Sequence, residues 1–325
     1  MTPPPDRAVL TIATGKPIYL RMACHLARSF LVWHRESHIK FFIATDQPFT
    51  PPADLAGISV LRFKPGELGE GFSAKLHLDR LAPASETLFI DADCLCSANL
   101  DMVFERFKDR EVSVVGREES QGELFGDIAA RCRAVGVAWV PRFCGGLYYL
   151  RRGKASEAIF QKARELEGQY DQLGLGRLRG LPNEEPLVGL AMALAGQRPV
   201  PDDATIKAEP MFFSGRTELD VFAGTARLFN VPGRPRPYPE WKIPDEAHPA
   251  IVHFNCAFAE QPPYTTEALR LEKVLKDRWP LPFATAYAGL KCTLPFKVQE
   301  RVKSRLRPCY RALFGTRPVR RSARA

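Results

Sequence analysis

Segments with the apolar pattern of buried strands alternate along this chain with segments whose apolar residues recur at helical spacing. This alternation predicts an α/β fold in which helices flank a mostly parallel sheet. The predicted strands are 8–13, 39–44, 58–63, 87–90, 112–115, 145–150 and 250–254, and the predicted helices are 19–33, 73–81, 124–134, 155–166 and 185–195. The proline-rich segment 232–244 predicts a surface loop, because proline removes a backbone donor from either regular element.

The composition is that of a folded globular protein. Hydrophobic residues make up 45% and charged residues 26% of the 325 positions. The longest apolar run, 186–196, is far shorter than the roughly 20 residues that a membrane-spanning helix needs. The first residues lack the apolar core of a secretory signal, so we expect a cytoplasmic protein. The eight cysteines form no CxxC pair, and we therefore expect reduced thiols rather than a zinc site or a disulfide framework.

The positive charge is concentrated at the C-terminal end. Nine of the basic residues and one acid fall within 300–325, so this segment carries most of the net charge of +9. From position 298 onward, apolar residues recur at helical spacing and are Val298, Val302, Leu306, Tyr310 and Leu313. Pro308 interrupts them, which predicts two short amphipathic pieces.

Two interpretations of this basic tail stay open. Residues 298–325 suit peripheral contact with an anionic membrane, which for a cytoplasmic protein is the inner membrane face. The alternative is a terminal helix packed on the body and followed by a disordered end. No nucleic-acid partner is expected, because the basic residues lie in a tail and not on a recognition module.

The strand predicted over 87–90 stops at two acids, Asp91 and Asp93, which are separated by Ala92. Ligands of open α/β sheets bind outside the carboxyl ends of the strands. Two neighbouring carboxylates repel each other unless a cation lies between them, and oxygen ligands suit Mg²⁺ or Mn²⁺, which in turn bind a diphosphate. The same acids could instead cap a helix or hold a turn, since a tripeptide is an unspecific motif.

The segment 72–104, in which Lys75-Leu76-His77 precedes the strand and its Asp-X-Asp end, resembles glycogenin and the related family-eight glycosyltransferases. The order of the other segments extends the resemblance over residues 8–265. It implies a GT-A fold, a Rossmann-like nucleotide-sugar transferase domain over 1–264, with a helical extension over 265–325 that ends in the basic tail. The implied activity is metal-dependent transfer of a hexose, with retention of configuration, from a nucleoside-diphosphate sugar to a glycan, lipid or protein acceptor. A UDP-sugar is the expected donor, and Mn²⁺ (or Mg²⁺) is the implied cofactor.

The resemblance also implies site residues by position. The residues placed at the nucleotide-sugar are Thr11, Ala13, Thr14, Tyr19, Lys75, Asp91, Ala92, Gly145 and Gly146. The implied metal ligands are Asp91, Asp93 and His253. The residues implied in catalysis are Lys75, Asp93, Glu184 and Glu185. Each also has a plainer interpretation: a strand-to-helix turn near Thr11, a solvated lysine at 75, and a structural histidine at 253.

Three departures from the family pattern affect the donor site. Cys144 replaces an asparagine in Phe143-Cys144-Gly145-Gly146, where small residues let a sugar approach the backbone. Glu184 and Glu185 stand where the family has Asp-Gln; a carboxylate there can act as nucleophile or stabilise an oxocarbenium-like centre, and it can equally favour the helix dipole. The lysine that the family places after the histidine is absent, so Lys75, Lys242 or an arginine of the tail supplies its charge, or donor binding is weaker.

Two other functions stay open at this point. A haloacid-dehalogenase-like phosphatase also uses Asp-X-Asp after an apolar strand, although that class expects Gly-Thr next and this chain has Cys94-Leu95. A nucleotide-sugar binding protein without turnover fits the substitution at Cys144 and the missing lysine.

Overall fold

The computed structural model describes residues 5–315, which form one six-stranded sheet, three three-stranded sheets and a set of surrounding helices. In chain order the strands are β1 (Arg7–Ala13), β2 (Lys40–Thr45), β3 (Ser59–Arg62), β4 (Glu86–Ile90), β5 (Cys94–Cys96), β6 (Val112–Ser113), β7 (Val115–Glu119), β8 (Val140–Phe143), β9 (Leu147–Arg151), β10 (Val200–Pro201), β11 (Lys207–Ala208), β12 (Glu218–Asp220), β13 (Thr225–Phe229), β14 (Glu246–Ala247) and β15 (Ile251–His253). The α-helices are α1 (Pro17–His34), α2 (Leu78–Leu81), α3 (Asp101–Phe107), α4 (Ile128–Val135), α5 (Lys154–Glu167), α6 (Glu184–Leu194), α7 (Tyr264–Leu271), α8 (Leu281–Ala288) and α9 (Leu294–Phe314). Short 3₁₀ turns cover Ala53–Leu55, Ser73–His77, Pro210–Phe212, Pro239–Trp241 and Cys256–Glu260, and π turns cover Glu272–Lys276 and Gly289–Thr293.

The central sheet has the strand order β3-β2-β1-β4-β9-β6. Strands β1 to β4 run parallel to one another, and β9 runs antiparallel to both of its neighbours, β4 and β6. The small sheets have the orders β10-β7-β8, β11-β15-β5 and β12-β13-β14. The predicted α/β fold with a mostly parallel sheet is confirmed.

Strands β1, β4 and β9 of the central sheet are buried on both faces, which explains why they are almost continuously apolar in sequence, whereas β3 at the edge of the sheet is partly exposed. Neighbouring residues of β1, Val9 and Leu10, belong to two different apolar clusters, because successive side chains of a strand point to opposite faces. Phe30 of α1 packs in the first cluster, and Phe160 of α5 packs in the second. Helices therefore cover both faces of the sheet.

Several element boundaries differ from the sequence predictions. The strand predicted over 112–115 is divided between β6 and β7, which lie in different sheets, and the helix predicted over 73–81 is a 3₁₀ turn followed by α2. The predicted helix 124–134 begins only at Ile128, because the Asp127 side chain accepts a hydrogen bond from the Ala130 backbone N–H at 3.0 Å and caps the helix there. The strand predicted over 145–150 begins at Leu147, which leaves Gly145 and Gly146 in the loop after β8. That loop lies in the candidate site.

The C-terminal segment is one long helix. The two amphipathic pieces predicted on either side of Pro308 are wrong, since α9 continues through this proline. A proline removes one backbone hydrogen bond, while the flanking turns keep theirs and consist largely of good helix formers. Arg317, Arg320, Arg321 and Arg324 of the predicted basic tail lie outside the described residues. Within residues 5–315, no helix combines the length and apolar character needed to cross a membrane.

Candidate active site

The two acids of the Asp-X-Asp motif lie in the short connection between β4 and β5. Strand β15 pairs antiparallel with β5, and this register places His253 opposite Cys94. His253 Nε2 consequently lies 3.2 Å from Asp93 Oδ1 and 3.8 Å from Asp91 Oδ2. The fold therefore brings together the three residues for which the family resemblance implies metal binding.

The surroundings of His253 favour a positive charge on its imidazole. Burial alone lowers the pKa of His253, but the adjacent Cys94 thiol and Asp93 carboxyl raise it well above its usual range. The ligand atoms of Asp93, Cys94 and His253 lie within 4.8 Å of one another. Among the described residues, Asp91 falls outside this tight group. Two carboxylates and an imidazole are nevertheless a donor set that fits Mn²⁺.

Lys75 explains the position of Asp91. Its ammonium lies 2.9 Å from the Asp91 carboxylate and 2.9 Å from Glu184 Oε1, and it donates to the Gly145 carbonyl at 2.9 Å. Burial opposes the charge of Lys75, but the two carboxylates outweigh it and raise the pKa. An ammonium has three N–H donors, so the predicted contact of Lys75 with a donor phosphate requires the exchange of one of these bonds.

Glu184 and Glu185 stand in the first turn of α6, where the Asn183 side chain caps the helix by accepting from the Glu185 N–H at 2.9 Å. Glu184 is fully enclosed, accepts from the Tyr148 hydroxyl at 3.3 Å, and has no described hydrogen-bond partner at Oε2. Glu185 Oε1 accepts from the Gly145 N–H at 2.7 Å. Burial raises the pKa of both carboxyls, and together with the neighbouring Glu184 it raises that of Glu185 to about 8.

Gly145 and Gly146 permit close packing in this loop. A Cβ at Gly146 would lie 2.4 Å from His253 Nδ1, and one at Gly145 would lie 2.8 Å from Glu184 Oε1. A larger residue at either position would displace the histidine or the glutamate. The small residues that the sequence assigns to a sugar thus also make room for the chain's own polar groups.

The residues predicted for the nucleotide base lie at the end of β1. Since β1 and β4 are parallel neighbours, this end is on the same edge of the sheet as Asp91 and Asp93. Thr11 and Ala13 are buried, with no described partner for the Thr11 hydroxyl, whereas Thr14 and Tyr19 are half-buried. Asp46, at the end of β2, accepts from the Gly15 N–H at 3.1 Å and adds a carboxylate that sequence reasoning did not assign.

The other proposed sources of positive charge lie elsewhere. Lys242 is exposed on the loop 232–244 and lies 3.9 Å from Glu119. The described arginines of the tail are on exposed faces of α9.

Ala92, which was predicted to contact the nucleotide-sugar, lies between the two acids and is buried.

Sequence reasoning missed a buried ion pair beside His253, formed by Lys207 and Glu209. Glu209 Oε1 lies 3.6 Å from His253 Nδ1, and Cys144 Sγ also lies 3.6 Å from the same nitrogen. The ligand atoms of Cys144, Glu209 and His253 form a second group within 4.8 Å. Strand β11 is too short to show an alternating pattern, so the sequence did not indicate that these residues are buried in the site. The only signal for an ion pair was a lysine and a glutamate two residues apart.

No protein-family model and no curated protein matches the chain. Among solved structures, the chain is similar to the galactosyltransferase LgtC, crystallised with donor and acceptor sugar analogues, at 14% identity over 87% of this chain and 95% of that chain, with a TM-score of 0.51. It also matches the glycosyltransferase GlyE of Streptococcus pneumoniae TIGR4, at 16% identity over 60% of this chain and 45% of that chain, with a TM-score of 0.41. The similarity to LgtC does not support glycogenin specifically among glycosyltransferases. The likeness to LgtC shows the fold, and this chain therefore has the GT-A fold of glycosyltransferases.

Proposed function

We propose that this chain is a glycosyltransferase that moves a hexose from a nucleoside-diphosphate sugar, with a UDP-sugar as the expected donor, to a glycan, lipid or protein acceptor. The observation that carries the proposal is the convergence of Asp91, Asp93 and His253 at the carboxyl edge of the central sheet. The GT-A fold supports it, because ligands of such sheets bind at this edge.

Asp91, Asp93 and His253 would hold Mn²⁺ or Mg²⁺. When bound there, such an ion supplies positive charge for the oxygens of a diphosphate. The chain itself fixes the surrounding groups, because Lys75 ties the Asp91 carboxylate to Glu184 across the site. Gly145 and Gly146 let the backbone of this loop lie against Glu184 and His253, because a Cβ at either position would lie 2.8 Å or less from one of these side chains.

In the proposed reaction, a hydroxyl oxygen of the acceptor forms a bond to the anomeric carbon while the bond from that carbon to the diphosphate breaks, and the hydroxyl proton passes to the departing diphosphate. Thr11, Ala13, Thr14 and Tyr19 would hold the nucleotide at the end of β1 and so align the sugar with the acids. We propose that configuration is retained.

Titration of the protein with nucleotides tests this function. UDP, UDP-glucose, UDP-galactose and GDP-sugars are titrated calorimetrically, each with Mn²⁺ and with a chelator. We expect one nucleotide to bind in Mn²⁺ and to bind at least about tenfold more weakly in chelator, since the ion links the acids to the diphosphate.

Each other outcome points to one of the alternatives. Phosphate release from a generic phosphate ester, without nucleotide binding, would favour the phosphatase. Donor binding without slow hydrolysis or transfer would favour a binding protein. If no nucleotide bound, the likeness to LgtC would describe a fold and not an activity.

We further propose that residues 1–264 form the transferase unit and that α9, in the extension 265–325, contacts an anionic membrane at the cytoplasmic face. Val298, Val302 and Leu306 of α9 are at least half exposed. The helix carries six basic residues against one acid. Exposed apolar side chains interleaved with positive charge are the pattern of a helix that lies in an anionic membrane surface.

A vesicle assay tests this contact. The chain should co-sediment with vesicles containing phosphatidylglycerol and not with pure phosphatidylcholine. The double variant Val302→Asp/Leu306→Asp should bind at least about tenfold more weakly, because it places charge on the apolar side. Equal binding of the variant, or binding that is unaffected by salt, would contradict the proposal.

A further inference from the structure

We infer that Glu209 is a positioning residue that orients the His253 imidazole for metal binding, with Lys207 holding Glu209 in place. This inference rests on the metal site of the proposed function. It assigns a role to a buried ion pair that the proposed reaction does not otherwise use.

Strand pairing places Glu209 at the histidine. Strand β11 lies parallel to β15, with Lys207 beside Ile251 and Ala208 beside Val252. Continuing this register brings Glu209 next to His253 at the point where both strands end. Glu209 and Lys207 are 3% and 4% exposed, so neither side chain has solvent as an alternative partner.

The two ring nitrogens of His253 face opposite surroundings. Nε2 faces Asp93 at 3.2 Å and Asp91 at 3.8 Å, whereas Nδ1 faces Glu209 at 3.6 Å. A negative charge beside Nδ1 favours a proton on that nitrogen, so Nε2, which faces the acids, is the nitrogen whose proton a metal ion would replace. This is the tautomer that a metal ion held by the acids requires.

The packing restricts the ring to this orientation. The backbone of Gly146 is so close to the imidazole that a Cβ there would lie 2.4 Å from Nδ1. Cys144 Sγ is the second neighbour of Nδ1, at 3.6 Å. A thiol is a weak acceptor, whereas Glu209 offers a charged carboxylate, and therefore Glu209 is the group that selects the tautomer.

A buried ion pair contributes little net free energy to the stability of a fold. Taking both charges out of water costs about as much as their attraction returns, and well-packed apolar residues often do as well. Lys207 and Glu209 lie directly behind His253, a proposed metal ligand. A role in orienting this histidine explains the presence of a buried ion pair here, whereas packing alone does not.

The test is the Mn²⁺ affinity of the full chain, measured by electron paramagnetic resonance. Glu209→Gln keeps the shape of the side chain and removes its charge. We expect it to bind Mn²⁺ about 10- to 100-fold more weakly, the range typical for loss of such a supporting carboxylate. The nitrogen modulation in the spin-echo spectrum of bound Mn²⁺ should also decrease, because fewer ions have imidazole as a ligand. A purely structural role would not change that signal.

Matched variants separate the possible failures. Asp203→Asn, an exposed acid of the same region paired with Arg106, should keep the wild-type affinity. If the wild type shows no Mn²⁺ binding, or if His253→Ala binds as tightly as the wild type, the metal site of the proposed function is wrong. If His253→Ala loses binding while Glu209→Gln keeps affinity and nitrogen modulation, the inference about Glu209 alone is overturned.

A second variant covers the case in which Glu209→Gln does not fold. Lys207→Met/Glu209→Leu removes both charges, so no lone buried ion remains. We expect this double variant to fold and still to bind Mn²⁺ at least about tenfold more weakly. Wild-type affinity in this variant would overturn the inference.

Discussion

Replacing Asp93 with asparagine is expected to lower metal-dependent glycosyl transfer at least about 100-fold and to leave the fold intact. Asp93 is almost fully buried, and its carboxylate lies 3.2 Å from His253 Nε2. Asparagine has the same shape, but it lacks the charge that attracts a divalent cation. The substitution therefore removes the ligand that is closest to the histidine and changes little else in the packing.

The variant is compared with the wild type in Mn²⁺ affinity, thermal melting and turnover of the donor that the nucleotide titration identifies. Asp203→Asn serves as the control for a carboxylate outside the site. Full turnover in Asp93→Asn would refute the metal assignment. A loss of turnover with unchanged Mn²⁺ affinity would give Asp93 a role in another step.

The proposed metal site was accessible from sequence in two ways. Asp91 and Asp93 follow an apolar strand, where ligands of open α/β sheets bind, whereas His253 was assigned by the resemblance to the glycogenin family. Strand β15 lies in a different sheet from β4 and pairs antiparallel with β5, so strand geometry alone did not predict the contact of His253 with the acids. Sequence patterns do not give strand direction. The antiparallel course of β9 within the central sheet was not predicted, because a short apolar run has the same pattern in either direction.

Other features of the site depend on neighbours that only the folded chain reveals. Lys75 was predicted to contact phosphate, and its ammonium in fact lies between two carboxylates and a carbonyl oxygen. Glu209 was missed because its strand, β11, has two residues and no periodicity. In both cases the sequence supplies a charged residue, but long-range packing determines which charge it faces.

Loss of charge at the two adjacent acids of α6 is expected to affect turnover strongly at Glu184 and little at Glu185. Glu184→Gln should lower turnover about 100-fold, because it leaves the buried Lys75 with one carboxylate instead of two and disturbs Asp91, to which Lys75 is bonded. Glu185→Gln should keep turnover at pH 7 within about threefold, since a glutamate that is already neutral closely resembles glutamine.

The pH dependence follows from the surroundings of Glu185. Burial and the adjacent Glu184 raise the pKa of Glu185 to about 8, against the opposing effects of the Gly145 N–H, Lys75 and Lys207. Glu185 is therefore mostly neutral below pH 8 and becomes charged above it. If the neutral form is the working one, wild-type turnover falls as the pH rises through about 8, and Glu185→Gln lacks this decline. Rate profiles between pH 6 and 9.5, with melting curves at each pH, measure both effects.

The same comparison distinguishes two routes to retention of configuration. If Glu185 attacked the sugar as a nucleophile, Glu185→Gln would be inactive, and wild-type turnover would rise with pH as the carboxylate became charged. If Glu185→Gln remains active, no covalent intermediate forms on this residue. Mass spectrometry of the protein incubated with its donor then separates the two remaining routes. A glycosyl adduct on Glu184 would make that residue the nucleophile. Without an adduct, the acceptor oxygen approaches the anomeric carbon from the face that the diphosphate leaves, and Glu184 keeps Lys75 and Asp91 in place beside that face.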